Sequence, residues 1–227
     1  MLKRTAGYKF IADIFLPNRC ALCGRVISWE GLTCPACGEK MPLLKNKTIE
    51  VSGTDGGTAA FSYEGKITDL IYRMKDSGES DNFAELCAGI ICERLALTGL
   101  DLRTDIVTAV PMSVRKRVRR GYNQAKLLAE FVADILGKKT DYTLLERNDD
   151  STEQHHLSQK EREIHARKVY RAASGHNDIS GKNILIVDDV ITTGATVRTC
   201  AEKLREIGAA EVYCCGAAAS VLKDRNK

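Results

Sequence analysis

The sequence predicts an α/β fold in which helices flank a parallel sheet, preceded by a small N-terminal domain organised by four cysteines. From residue 58 onward, apolar segments of strand length alternate with helical segments, which implies right-handed crossovers and parallel pairing. Residues 184–187 are apolar without polar alternation, as is typical of a strand covered on both faces. Two CxxC pairs near the N-terminus predict the small domain.

The N-terminal part is expected to hold a short helix over residues 5–16, leading directly into the cysteine pairs. We place this domain at residues 1–45 and the α/β domain at residues 58–222. Residues 41–57 are predicted to be a linker, because they combine low apolar content with turn residues such as Pro42 and the run 52–57.

The α/β domain is expected to alternate strands with helices along its length. The predicted strands cover residues 59–63, 105–110, 184–187 and 211–218, with a short one at 143–145. The predicted helices cover residues 66–75, 83–97, 121–136 and 197–207, with an amphipathic helix or lid at 157–169.

The two cysteine pairs are Cys20 with Cys23 and Cys34 with Cys37, each followed by a glycine. Tight turns of this kind place two thiolates on one metal, so two of them complete a four-sulfur zinc site. A redox role is the alternative, but it requires a helix start in a thioredoxin-like βαβ context that this segment lacks. The other five cysteines sit among apolar neighbours, which favours small core residues: Cys87, Cys92, Cys200, Cys214 and Cys215.

The composition narrows the function classes. The net charge of +4 comes from five basic residues within 115–120, which favours one anionic ligand or one docking patch over a chain coated for DNA. The longest apolar run, residues 212–222, is too short to cross a bilayer, and Lys9 and Asp13 interrupt any apolar core of a signal peptide. A cytoplasmic protein is therefore expected.

The strand at 184–187 leads into a candidate sugar-phosphate site. Asp188 and Asp189 follow it, then a small hydroxyl-rich turn over 192–196, then a helix for which Thr196 is the expected N-cap. Backbone N–H groups at a helix start stabilise an anion, while carboxylates accept hydrogen bonds from vicinal hydroxyls or hold a divalent cation. Phosphate and diol recognition side by side indicate phosphorylated ribose. The alternative is a buried strand followed by an ordinary turn.

This segment resembles the phosphoribosyl-pyrophosphate loop of the type I phosphoribosyltransferases, in its TTGAT form. The resemblance implies that Asp188 and Asp189 contact the ribose hydroxyls and that the turn cradles the 5′-phosphate. The candidate ligand-binding residues here are Asp188, Asp189, Val190, Thr192, Thr193, Gly194, Ala195 and Thr196.

A second candidate region follows the strand at 105–110. Pro111 and Met112 begin a turn that could present backbone donors, and the arginine cluster comes directly after it. Guanidinium groups make two-pronged contacts to phosphate, so Arg117 and Arg120 are candidates for a pyrophosphate. A solvated basic loop is the alternative.

The chain also resembles the ComF proteins, which are competence-associated members of the phosphoribosyltransferase superfamily. The segment 120–124 (RGYNQ) carries the resemblance, together with the paired cysteines, the run 63–65 followed by Lys75, and Gln154, Leu157 and Arg162. His165 stands where the family usually has asparagine. His155 and His156 are interpreted as solvated loop residues.

Two functions follow from these resemblances. The first is binding of phosphoribosyl pyrophosphate with Mg²⁺ and transfer of the phosphoribosyl group, with Arg117, Arg120, the loop at Pro111 and Lys75 holding the leaving group; the sequence identifies no acceptor. The second is non-enzymatic, namely assistance to single-stranded DNA uptake in natural transformation. The zinc domain and the arginines would then contact DNA or a protein such as a helicase. Fold alone does not decide between them.

Overall fold

A five-stranded parallel sheet forms the centre of the molecule in a computed structural model that describes residues 17–77, 81–148, 166–175 and 177–220. The strands are β1 (Gly56–Ser62), β2 (Ile106–Ala109), β3 (Lys139–Thr140), β4 (Leu145–Arg147), β5 (Tyr170–Ala172), β6 (Asn183–Ile191) and β7 (Glu211–Ala219). The helices are α1 (Pro35–Gly38), α2 (Gly65–Ser77), α3 (Asp81–Thr98), α4 (Leu100–Arg103), α5 (Val114–Arg120), α6 (Gln124–Leu136) and α7 (Ala195–Glu206).

The sheet has the order β1-β7-β6-β2-β3, and every adjacent pair in it is parallel. The long strands β6 and β7 therefore lie inside the sheet, as their continuous apolar character predicts. A separate two-stranded antiparallel sheet consists of β4 and β5. All carboxyl ends of the five parallel strands face one edge, where ligands of such sheets bind.

Helices cover both faces of the sheet. Successive strand residues point to opposite faces, so Leu185 and Val187 pack with α3 and α6, whereas Ile184 and Ile186 pack with α7 and the small sheet. These two apolar clusters form a three-layer core. The predicted fold class, a parallel sheet with flanking helices, is confirmed.

Several local predictions need correction. Strand β6 does not end before the two aspartates, because it stays paired with β7 through Ile191. The arginine cluster is helical, as α5, rather than a turn or loop. The short strand expected at residues 143–145 lies at 145–147 instead, and helix 121–136 begins at Gln124. The expected helix at 5–16, most of the segment 157–169, and the histidines at 155, 156 and 165 lie outside the described residues.

The segment expected to be a linker packs closely against the sheet; we call residues 43–55 the strap. Val51 of the strap is buried, and the amide of Leu44 donates to the Ala60 carbonyl at 3.1 Å. Further along, the amide of Asp55 donates to the Val212 carbonyl at 2.8 Å. The strap therefore runs along the outer edge of the sheet, while the domain limits stay a prediction.

The cysteine-bearing segment lies against α3. Asn82 of α3 donates from Nδ2 to Asn18 Oδ1 at 2.7 Å and to the Arg19 carbonyl at 2.9 Å, and Ala21 joins the apolar cluster beneath α3. In the described part of the chain, no helix combines the length and the apolar character needed to cross a membrane.

Candidate functional site

The four cysteines of the N-terminal segment converge on one point. The Sγ atoms of Cys20, Cys23, Cys34 and Cys37 all lie within 4.8 Å of one another. Cys23 Sγ and Cys34 Sγ are 3.8 Å apart, close to the edge of about 3.8 Å that a tetrahedron of sulfurs has when each bond to zinc is about 2.3 Å. Each pair is closed by a turn whose backbone bond returns to its first cysteine, from Gly24 and from Gly38.

The electrostatics of this cluster also suit a cation. The Arg25 guanidinium donates to Cys23 Sγ at 3.4 Å and lowers the pKa of that thiol to about 6. Burial, together with the crowding of neighbouring thiols, raises the pKa of Cys37 to about 12. The charged form is thus favoured at Cys23 and disfavoured at Cys37. A divalent cation would stabilise all four groups as thiolates. Sulfur donors alone fit a closed structural zinc site, so the cluster supports structural Zn²⁺.

A separate cavity of about 150 Å³ opens at the carboxyl end of β6. Its walls come from β6 and the loop after it, the first turn of α7, and the small antiparallel sheet. The lining residues are Arg147, Ala166, Val169, Tyr170, Asp188, Val190, Ile191, Thr192, Thr193, Gly194, Ala195, Thr196 and Val197.

The loop of residues 192–196, here called the phosphate loop, starts α7. Its N-cap is Gly194, at φ +73°, and not Thr196 as predicted; Thr193 Oγ1 accepts weakly from the Ala195 amide at 3.4 Å. A side chain at Gly194 would place its Cβ 2.7 Å from Val51 Cγ1 of the strap. Glycine therefore serves both the left-handed backbone and the close contact, and the first turn of α7 lines the cavity.

The two aspartates differ in their surroundings. Asp188 lines the cavity and, after burial, contributes to raising the pKa of Tyr170 and of Cys200. Asp189 instead lies near Tyr63. Burial and a hydrogen bond with Tyr72 raise the pKa of Tyr63 to about 12, and the charge of Asp189 contributes to this shift. This separation follows from the alternation of side chains along a strand that continues past both acids.

Two polar residues of the cavity lining were missed by the sequence reasoning: Arg147 and Tyr170. They are cross-strand partners in the small sheet, and Arg147 Nη1 donates to Tyr170 Oη at 3.0 Å. The guanidinium carbon also lies 5.4 Å from the centre of the tyrosine ring. The one available sequence signal was a basic residue two positions after the apolar pair 144–145.

The turn after β2 lies beside the cavity strand. The Val110 amide donates to the Val187 carbonyl at 2.9 Å, which brings Pro111 and Met112 next to the acidic pair along the same sheet edge. Asn123 fixes this turn, since its Nδ2 donates to the Val110 carbonyl at 3.1 Å while its Oδ1 caps α6. Neither Pro111 nor Met112 belongs to the cavity lining.

Two of the predicted cationic residues, both arginines, lie outside the cavity lining. Arg117 and Arg120 lie on α5, which Ser113 caps at its start and Gly121 closes in the left-handed conformation. Arg120 donates to Gln124 Oε1 at 3.4 Å, whereas Arg117 is exposed. Lys75 lies in α2. The structure thus brings Asp188, Val190 and the phosphate loop together, and neither Arg117 nor Arg120 joins them in the cavity lining.

Comparison with known proteins gives consistent matches. Residues 11–61 match the double zinc ribbon domain and residues 123–226 the phosphoribosyl transferase domain. The chain is 32% identical to the DNA utilization protein YhgH of Salmonella typhimurium, over 86% of this chain and 82% of that protein. It is 31% identical to competence protein F of Haemophilus influenzae over half of each chain. It is 38% identical to the ribose-phosphate pyrophosphokinase of Thermococcus kodakarensis, over 37% of this chain and 24% of that protein.

Proposed function

The chain belongs to the family of the DNA utilization protein YhgH and competence protein F, and we propose that its cavity binds phosphoribosyl pyrophosphate together with Mg²⁺. One observation carries the proposal. The phosphate loop, the first residues of α7 and Asp188 line the same cavity. The matching phosphoribosyl transferase domain and the similarity to a ribose-phosphate pyrophosphokinase support it.

The chemistry of the walls suits a ribose 5-phosphate unit. Amides at the start of a helix and the threonine hydroxyls donate to phosphate oxygens, and the carboxylate of Asp188 accepts from ribose hydroxyls. The cavity volume of about 150 Å³ is smaller than that of pockets for drug-sized ligands, which begin at about 300 Å³. The cavity therefore suits the sugar phosphate, while the pyrophosphate would extend along the strand edge past Pro111.

Mg²⁺ fits this site by the nature of its donor, since the carboxylate of Asp188 in the cavity lining offers hard oxygen ligands. When bound, it supplies charge neutralisation of the pyrophosphate. Arg117, Arg120 and Lys75 remain candidates for the same anionic group. This assignment requires α5 to approach the ligand, because its arginines do not line the cavity.

The reaction that such a site would support is phosphoribosyl transfer. The bond between C1 of the ribose and the pyrophosphate oxygen breaks, and its electron pair leaves with pyrophosphate. A lone pair of the acceptor forms the new bond to C1, and the acceptor's proton passes to solvent. Donors placed around the departing oxygens stabilise the charge that develops there.

The test is a melting experiment with phosphoribosyl pyrophosphate and Mg²⁺. A ligand at about 100 times its Kd stabilises the folded state by about 2.7 kcal/mol, which is a visible shift. Asp188→Asn should reduce the shift, because an amide has one acceptor oxygen for the ribose hydroxyls and a carboxylate has two. An unshifted wild type at millimolar ligand would contradict the proposal. Release of pyrophosphate with a panel of acceptors then tests transfer itself.

A second function, in DNA utilisation, is favoured by the exposed basic helix α5 and by the names of the relatives. Arg115, Arg117 and Arg119 are all exposed on this helix, where they could contact phosphates of single-stranded DNA. DNA affinity that falls steeply with salt, and that is lost when these arginines are replaced, would support it. A helicase partner and a cytoplasmic location stay predictions of the sequence.

A further inference from the structure

Resting on the proposed function, we infer that Arg147 binds the 5′-phosphate side of the ligand, opposite the phosphate loop. Arg147 belongs neither to the loop motif nor to the arginine cluster. It assigns a binding role to the small antiparallel sheet of β4 and β5, which the motif does not reach.

The location of Arg147 is the first argument. It ends β4 and lines the same cavity as the phosphate loop. Among the described residues that line this cavity, Arg147 supplies the basic side chain and Asp188 the acidic one. The cavity thus combines a cation, a set of helix-start amides and a hydroxyl acceptor.

The orientation of the guanidinium is the second argument. Tyr170 is buried, and its hydroxyl accepts from Arg147 Nη1 at 3.0 Å while its ring lies beneath the guanidinium carbon at 5.4 Å. The Asn148 amide, donating to the Val169 carbonyl at 2.7 Å, continues the strand pairing just past Arg147. A long side chain held in this way loses less rotamer entropy on binding an anion.

The choice of phosphate over pyrophosphate is the third argument. Arg147 shares its cavity with the phosphate loop, whereas Arg117 and Arg120 lie on α5 outside the cavity lining. A half-buried guanidinium makes stronger, two-pronged contacts with phosphate than an exposed one, because less water competes. Arg147 should therefore contribute to both ribose 5-phosphate and phosphoribosyl pyrophosphate, which share the 5′-phosphate.

The experiment measures the Kd of wild type and variants for both ligands, with Mg²⁺ present. Arg147→Met should weaken binding of both ligands by a similar factor of about 10 to 100, the range for hydrogen bonds to a charged group. Arg147→Lys, which keeps the charge but not the fork, should recover part of the affinity. Arg171→Met is the matched control, since Arg171 lies on the other strand with an exposed side chain paired to Glu146. It should bind like wild type.

The outcomes separate the inference from the proposed function. A wild type that binds neither ligand overturns both. A wild type that binds both, with Arg147→Met and Arg147→Lys equally tight, overturns the inference alone. A loss restricted to phosphoribosyl pyrophosphate also overturns it, because Arg147 would then belong to the pyrophosphate side. Melting of the ligand-free variants shows whether any loss comes from unfolding instead.

Discussion

Arg94 shows how a single buried cation can organise a backbone. It lies in α3 with 6% of its surface exposed, and its guanidinium donates to the carbonyls of Leu44 and Ala59. Burial lowers its pKa, but the carbonyl oxygens satisfy the donors. One side chain thus ties a helix, the first strand and the strap together.

Replacing Arg94 by methionine should destabilise the protein by about 2–4 kcal/mol, because two buried carbonyls lose their donors while the packed volume is nearly kept. Urea unfolding measures this free energy. Arg103→Met is the control: its ion pair with Glu211 is exposed and contributes about 1 kcal/mol or less. Equal effects of the two changes would show that Arg94 does not hold the strap.

At the scale of elements, the strap and the phosphate loop form a packed pair. Val51 and Ile191 belong to one apolar cluster with Val197 of α7. The residues that flank the phosphate loop on both sides therefore pack in the same cluster as the strap. The conformation of the phosphate loop is therefore set partly by a segment some 140 positions earlier in the sequence.

Gly194→Ala tests this pair. The added methyl group meets Val51 Cγ1 and demands an unfavourable φ, so sugar-phosphate binding should weaken by about tenfold or more. Calorimetric titration with ribose 5-phosphate gives the Kd. Adding Val51→Ala removes the clash but leaves the backbone strain, so the double variant should recover part of the affinity. No recovery would mean that the strap does not shape the loop.

The helix α5 gives a second prediction at this scale. If Arg117 and Arg120 clasp the pyrophosphate, Arg117→Ala and Arg120→Ala should weaken phosphoribosyl pyrophosphate much more than ribose 5-phosphate, which lacks the second anionic group. Arg115→Ala, on the same exposed helix, is the control. Equal losses for both ligands would show that the pyrophosphate lies elsewhere.

The sequence predicted what local patterns determine, and missed what tertiary contacts determine. The apolar run of β6 and the cysteine spacing were sufficient for the sheet and the metal cluster. Pairing of Arg147 with Tyr170 joins residues 23 positions apart, and contact of Val51 with the phosphate loop spans more of the chain, so no local signal announces either. Helix α5 was missed because its caps at Ser113 and Gly121, rather than an apolar stripe, define it.

At the scale of the whole molecule, the cysteine cluster and the cavity lie at two ends of a continuous packed path. The cluster segment contacts α3 through Asn82, α3 holds the strap through Arg94, and the strap supports the phosphate loop through Val51. The strap's own bonds to β1 and β7 do not involve the four clustered cysteines. Loss of the metal should therefore unfold the cysteine-bearing segment first and change the cavity only weakly.

Cys34→Ser tests this order of dependence. The wild type should contain about one zinc per chain, and the variant should contain much less, because a hydroxyl is a poor substitute for a thiolate ligand. Hydrogen exchange should then lose protection over residues 18–40, where metal binding and folding are linked, while β6 and β7 stay protected. Cys92→Ala, a buried cysteine of α3 outside the cluster, should keep its zinc. Loss of protection throughout the sheet in Cys34→Ser would show instead that the cysteine-bearing segment and the parallel sheet fold as one unit.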